Sequence, residues 1–240
     1  MTAVSDERAS DEARPGTITR AFATPVARIG CPFGDQLNGP LTDLVLRRLG
    51  LVENKFSYKS ETSADMASWC EPVVDSLTGW VLQTAREFVE TVGGHPLSAV
   101  FTASRARDAN TFNTAASDRV DLSSEEVTVA ASRSWASVYR RGDQHPAHFH
   151  PNTAIAAIYY VHGPGSCELD LIDPRSNVDY FDPGILFAGE GQNIRLRCVP
   201  GELVLFPGWL KHSVPRFDGD GVRISLSWNL VYSLRSPQTG

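Results

Sequence analysis

The chain has 240 residues, 42% of them apolar and 9% aromatic, with a formal net charge of -6 and a pI near 5.5. That size and apolar fraction suit one globular domain with a full core, and an acidic chain without a basic run argues against nucleic acid as a partner. No stretch approaches about 18 consecutive apolar residues, so no spanning helix is expected and no membrane partner with it.

The N-terminus, MTAVSDERASDEARPGT, is polar and acidic and lacks the apolar segment of a secretory signal. Residues 1 to about 18 read as a disordered tail, because they are rich in Ser, Asp, Glu, Ala and Arg and hold few large apolar side chains to bury. A single domain is expected over 19–240. It opens with TRAFATPVARI, a strand-like run broken by Pro25. GPLTDLVLRRLG (39–50) reads as a short helix, with Leu41, Leu44, Val45 and Leu49 at helical spacing and Gly50 at its end. A longer helix is expected over 72–92. Pro72 suits its first turn, Val73, Leu77, Val81, Phe88 and Val92 would line one side, and Gly93-Gly94 would stop it.

After about residue 97 the texture becomes β-like. EVTVAASRSWASVYR, TAIAAIYYV, CELDLID, NIRLRCV, ELVLFP and VRISLSWNLVY are rich in β-branched and aromatic residues, and Gly, Pro, Asp and Asn clusters separate them. Strands at such spacing suggest an antiparallel sandwich or barrel. The expected class is therefore α+β and mostly β, with helical support over 39–93 and a β-core over about 97–233. The four cysteines, Cys31, Cys70, Cys167 and Cys198, are widely spaced and form no C-x-x-C, so they read as buried thiols of a reducing cytoplasm.

Residues 145–152, HPAHFHPN, hold three of the six histidines. His148 and His150 are one residue apart, and alternate side chains of an extended strand share a face. Both imidazoles can therefore converge on one ion. His212, after the apolar run 203–206 and the Pro207-Gly208 turn, is the candidate third ligand. His145 precedes a proline and reads as part of an entry loop, while His95 and His162, each beside or near glycine, read as turn residues. Further on, Arg223 and Ser225 alternate onto one face of VRISLSWN. An arginine turned into a β-core is costly unless an anion pairs with it. A guanidinium and a neighbouring hydroxyl can clamp a carboxylate, such as the far end of a dicarboxylate that chelates a metal. An ion pair with a local Asp or Glu is the structural alternative.

These motifs stand in a recognisable order. The chain has Phe22–Val26 (FATPV), Ser134-Trp135-Ala136, Gly142-Asp143, His148-Phe149-His150-Pro151-Asn152 and Tyr159-Tyr160-Val161. It continues with Asp173-Pro174-Arg175, Pro200-Gly201, the run from Phe206 to Val214 (FPGWLKHSV) and the run from Arg223 to Asn229 (RISLSWN). Over about 19–233 it resembles the 2-oxoglutarate- and Fe(II)-dependent oxygenases on the double-stranded β-helix, a jelly-roll or cupin-like core. More narrowly it resembles a bacterial and phage family of small members of that group. The resemblance implies Fe(II) as cofactor, 2-oxoglutarate as cosubstrate and O2. It implies His148, His150 and His212 as metal ligands and Arg223 and Ser225 on the distal carboxylate, with Tyr159, Trp135 and Asn229 lining the cavity. It also implies hydroxylation, desaturation or cyclisation of a small molecule, such as an amino acid or natural-product intermediate, with release of succinate and CO2.

One departure matters. The usual triad is His-x-Asp/Glu plus a distant His, and His150 stands where the carboxylate is expected. Either three imidazoles hold the metal, or His150 stands back and the position is filled by water or by an acidic residue from elsewhere, with Asp143, Asp170 and Asp173 as candidates although none has the right spacing. Arg140, Arg141, Arg175 and Lys211 could meet an anionic substrate or simply be solvated. A cupin-type three-histidine dioxygenase without 2-oxoglutarate and a non-catalytic jelly-roll binding module are the other readings. The first lacks its expected Glu after H-x-H, where Ala154 and Ile155 stand, and neither accounts for Arg223. A cytoplasmic protein is expected, and a homodimer is left open.

Overall fold

The computed structural model describes residues 23–51, 53–55, 58–62, 65–112, 127–164, 167–175 and 193–234. The expected tail over 1–18 lies outside them. The described elements are, in chain order, β1 (Ala27–Gly30), α1 (Gly34–Leu51), β2 (Glu53–Lys55), β3 (Ser60–Thr62), a 3-10 turn (Met66–Trp69), α2 (Pro72–Gly93) and α3 (Leu97–Phe112). There follow β4 (Val127–Tyr139), β5 (His145–His148), β6 (Ile155–His162), β7 (Cys167–Ile172), β8 (Asn193–Cys198), β9 (Glu202–Pro207), β10 (His212–Val214) and β11 (Arg223–Leu234). All six β-like runs read from the sequence are strands.

These strands form two sheets. The larger has the order β1-β9-β6-β11-β4-β3-β2 and the smaller the order β5-β10-β7-β8. Each pairing is antiparallel. Two sheets of this kind, with helices on one outer face, make the jelly-roll core that the motif order implied.

Side-chain alternation decides what each face of the large sheet does. Leu203 and Leu205 of β9, Tyr159 and Val161 of β6, and Ile224, Leu226, Trp228 and Leu230 of β11 pack with the helices. The residues between them, Val204, Phe206, Ala156, Ile158 and Tyr160, face the small sheet and meet Leu169, Leu171 and Leu210. Leu226 and Ile224 are fully buried, so truncating either to Ala would cost about 2–5 kcal/mol. Polar residues break this inner face on β11, where Arg223, Ser225 and Ser227 stand in place of apolar side chains.

Three helical expectations need correction. α1 begins at Gly34, not residue 39, and carries Pro40 within it. A proline mid-helix removes one backbone donor, and the burial of Leu41, Leu44, Val45 and Leu49 against the sheet outweighs that cost. α2 has nearly the expected bounds, but its buried stripe is Val74, Leu77, Val81, Thr84, Ala85 and Val89, and Val92 is exposed. Third, residues 97–112 are helix, so the run of strands expected from about 97 begins at Val127, and β1–β3 join the large sheet from before it. Apart from Phe112 at its end, the apolar side chains of α3 larger than alanine stand at its start, with Leu97 buried and Val100 and Phe101 partly so. Its sequence therefore shows no sustained 3.6-residue stripe.

Candidate active site

His148 and His212 face each other directly across the β5–β10 pair. Opposite residues in an antiparallel pair hold their side chains on one face, so residues far apart in sequence meet. Their ring centroids are 4.2 Å apart. His150 follows β5, and its backbone N–H donates to the Gly208 carbonyl (2.9 Å). That bond ties it to the turn before β10. Its ring lies 5.2 Å from His148 and 5.1 Å from His212. One ligand nitrogen from each of the three lies within 4.8 Å of the others, and among the described residues this is the group arranged to hold a metal ion.

The tautomers are legible. His148 Nδ1–H donates to the Pro146 carbonyl (2.8 Å) and His212 Nδ1–H to the Leu210 carbonyl (3.0 Å). A carbonyl can only accept, so Nδ1 carries the proton in each ring and Nε2 offers its lone pair. Burial keeps these rings neutral. It lowers His212 to about 3 and His150 to about 4, with the neighbouring histidines adding to both shifts, and it lowers His148 too. Neutral imidazole is the metal-binding form.

The three aspartates considered for the carboxylate position are engaged elsewhere. Asp143 accepts from the Arg140 N–H, Asp170 pairs with Arg195, and Asp173 with Arg175. His145 opens β5 instead of sitting in a loop. It stacks on His148 at 3.8 Å, with Tyr58 on its other side at 5.1 Å. It lines the cavity but is outside the ligand group. His95 lies in the turn between α2 and α3, whereas His162 ends β6 as an exposed strand residue.

Arg223 lines the same cavity as the three histidines. It is 3% exposed, and its Nη2 is buried with no hydrogen-bond partner. Its Cζ lies 4.4 Å from the Tyr139 ring centroid and 5.4 Å from that of Phe217. No Asp or Glu among the described residues pairs with it, which disposes of the structural ion-pair alternative within them. Ser225, also buried, is two residues along the same face and lines the cavity. A buried cation with an unpaired donor and a hydroxyl beside it suit an anion.

Tyr159 does not belong here. It sits on the helix-facing side of β6, where its hydroxyl donates to Asn38 Oδ1 (2.8 Å) and its ring meets Trp80 edge-on. Its neighbour Tyr160 has the inner position and lines the cavity. Alternation makes the two tyrosines exclusive, and the sequence motif alone does not say which one points inward. Asn229 shares a face with Arg223 and Ser225 but lies beyond the cavity-lining residues, opposite Arg133, with its Oδ1 buried and unpaired. Trp135 does line the cavity, with its ring 5.8 Å from His150 and the Arg133 guanidinium 5.2 Å above it.

Among the cavity residues that the sequence reading did not single out, two bear on its charge. Tyr139 ends β4 under Arg223, and Lys59 stands just before β3, 3% exposed and ion-paired with Glu61. Burial lowers the Lys59 pKa, and Glu61 opposes that shift. A short charged run such as YKSET carries no periodicity that would mark it as cavity wall.

Residues 133–229, which hold all three histidines and the Arg223–Ser225 pair, match the model of a family described as "Putative 2OG-Fe(II) oxygenase". Residues 133–229 thus carry a 2OG-Fe(II) oxygenase domain. The oxygenase's fold agrees with that assignment. It is similar to a prolyl-4-hydroxylase from Pseudomonas putida, at 13% identity over 89% of this chain and 94% of that one, with a TM-score of 0.53. It is also similar to SnoN, a non-heme alpha ketoglutarate dependent epimerase from nogalamycin biosynthesis (11% identity, 90% of this chain and 86% of that one, TM-score 0.56). SnoK, an alpha ketoglutarate dependent carbocyclase from the same biosynthesis, is a third (11%, 88% and 79%, TM-score 0.53). At such identities the likeness is one of fold. No curated protein matches the oxygenase in sequence. No helix among the described residues is long and apolar enough to cross a membrane.

The residues present fit the family's cofactors. Three neutral imidazoles, with Nε2 free in His148 and His212, suit a divalent iron, and the orphaned Arg223 Nη2 in the same cavity suits the second carboxylate of 2-oxoglutarate.

Proposed function

We propose that the oxygenase holds Fe(II) through His148, His150 and His212 and binds the distal carboxylate of 2-oxoglutarate on Arg223 and Ser225, to oxidise a small molecule. The observation that carries this reading is the unpaired, buried Arg223 Nη2 in the histidine-lined cavity. Bound together, iron, 2-oxoglutarate and O2 supply oxidative attack on an unactivated C–H bond, with succinate and CO2 as coproducts.

The protein's part is to position and to exclude water. Carbonyl bonds to both Nδ1 atoms lock the rotation of His148 and His212. Stacking of His145 on His148 restricts that ring further. Arg223 orients the cosubstrate, its guanidinium resting against the Tyr139 and Phe217 faces. Trp135 and Arg133, beside His150, would form the wall that a substrate meets. Hydroxylation is the outcome we favour, with desaturation and cyclisation open to the same site. Four free thiols suit a reducing compartment, and we place the oxygenase in the cytoplasm.

The test is anaerobic addition of Fe(II) and 2-oxoglutarate to the full chain. A weak visible absorption band is expected, diminished in Arg223→Ala and absent in His212→Ala. Confirmed iron binding with no band would overturn the 2-oxoglutarate reading and leave a three-histidine dioxygenase of another kind.

A further inference from the structure

Arg223 is not the only buried cation at the cavity. Lys59 also lines it, on the opposite side of Tyr139's strand from β11. Its Nζ lies 3.5 Å from Ser137 Oγ and 6.0 Å from the Tyr139 ring centroid, the same ring on which Arg223 rests at 4.4 Å. Register explains the convergence. Glu61 of β3 is opposite Ser137 of β4, Ser137 is opposite Ser225 of β11, and Ser225 is opposite Tyr160 of β6. Through its contact with Ser137, Lys59 reaches the row that contains Ser225, the next inward-facing position along β11 from Arg223.

Charge balance sharpens the point. Glu61 is 8% exposed and paired with Lys59, so it offsets one of the two cations. Arg223 and Lys59 with Glu61 leave one positive charge at this end of the cavity. Burying an ion pair costs desolvation energy that mutual attraction alone often fails to recover. A pair placed at a cavity wall, with a second cation unpaired beside it, is matched by one carboxylate entering the cavity.

Resting on the function proposed above, we infer that Lys59 is a second binding residue for the distal carboxylate of 2-oxoglutarate. It shares that group with Arg223 and Ser225 and discriminates dicarboxylate from monocarboxylate 2-oxo acids. Glu61 holds the ammonium in place before the cosubstrate arrives, and so competes with it.

The experiment is isothermal titration of the Mn(II)-loaded full chain with 2-oxoglutarate and with 2-oxopentanoate, which keeps the chelating end and lacks the distal carboxylate. Wild-type protein should prefer 2-oxoglutarate strongly. Lys59→Met should weaken 2-oxoglutarate binding about tenfold, the scale of one hydrogen bond to a charged group, and leave 2-oxopentanoate unchanged. Glu61→Gln keeps the fold's shape and frees Lys59, so it should tighten 2-oxoglutarate about threefold and again leave the monocarboxylate alone. This second variant decides the matter if Lys59→Met does not fold. Discrimination undiminished in Lys59→Met, equal weakening of both acids, or no tightening in Glu61→Gln overturns the role of Lys59 alone. Wild-type protein that binds the two acids alike overturns the carboxylate clamp itself, and the lysine's role with it.

Discussion

Replacing Arg223 by Met should separate function from stability in opposite directions. In the ligand-free protein the guanidinium is 3% exposed and leaves Nη2 without a partner. An unsatisfied buried donor costs about 1–3 kcal/mol, and two aromatic faces return about 0.5–2 kcal/mol. Methionine keeps the aliphatic stem and removes the charge. The ligand-free fold should therefore change by under about 1 kcal/mol, on the side of stabilisation, which is a rise in Tm of about 2 °C for a domain of this size. Binding should suffer. Losing a charge-assisted clamp on a carboxylate costs about 2.7 kcal/mol or more, a factor of about 100 in Kd. At a 2-oxoglutarate concentration of about 100 times the wild-type Kd, ligand stabilises the wild type by about 2.7 kcal/mol and the variant by about 0.4 kcal/mol. Thermal unfolding of Mn(II)-loaded protein with and without 2-oxoglutarate measures both effects. The shift should fall from several degrees to about 1 °C. A ligand-free Arg223→Met that loses more than about 2 kcal/mol would show that the guanidinium serves the fold, and an undiminished ligand shift would refute the clamp.

Other predictions follow from the same geometry. His150→Ala should lower Fe(II) affinity by at least about 100-fold while His150→Asp retains it, as read by anaerobic metal titration; an alanine variant that binds iron like wild type would remove His150 from the ligand set. Gly208→Ala would place a Cβ 2.3 Å from the Thr153 carbonyl oxygen, a backbone clash, in the turn that accepts the His150 N–H. It should cost more than about 2 kcal/mol of stability and weaken iron binding. Tyr159→Phe should lose about 1 kcal/mol with its bond to Asn38 and leave 2-oxoglutarate affinity unchanged, because Tyr159 faces the helices. Metal-free protein should lose stability as pH falls from about 6.5 toward 4: the unfolded chain takes up protons there, while the folded one keeps His150, at about 4, and His212, at about 3, neutral. A urea midpoint that stays level between pH 7 and 5 would contradict this.

Much of the core was legible because alternation is local. Six strands could be placed from runs of β-branched and aromatic residues bounded by turn formers. His148, His212, Arg223 and Ser225 stood out as residue types that a β-core does not hold without reason. What alternation leaves open is which parity faces inward. That is why Tyr159 was chosen over Tyr160, and why Asn229, on the correct parity, proved to lie beyond the cavity-lining residues. The helix over 97–112 was missed because its apolar residues larger than alanine, Phe112 apart, cluster at one end.

By itself the sequence supplied the candidate donors, three imidazoles, one arginine and one serine, in an order that resembles the 2-oxoglutarate- and Fe(II)-dependent oxygenases. Only the tertiary structure decided how these meet. Pairing of β5 with β10 sets His148 against His212, and the β3–β4–β11 register carries Lys59 to the cavity that Arg223 lines. Such pairings join residues far apart in the chain, and no local pattern encodes them. Their register follows from burying both apolar faces of the large sheet at once. The same requirement leaves Arg223 in the interior with a donor unpaired, which is the feature that points to its ligand.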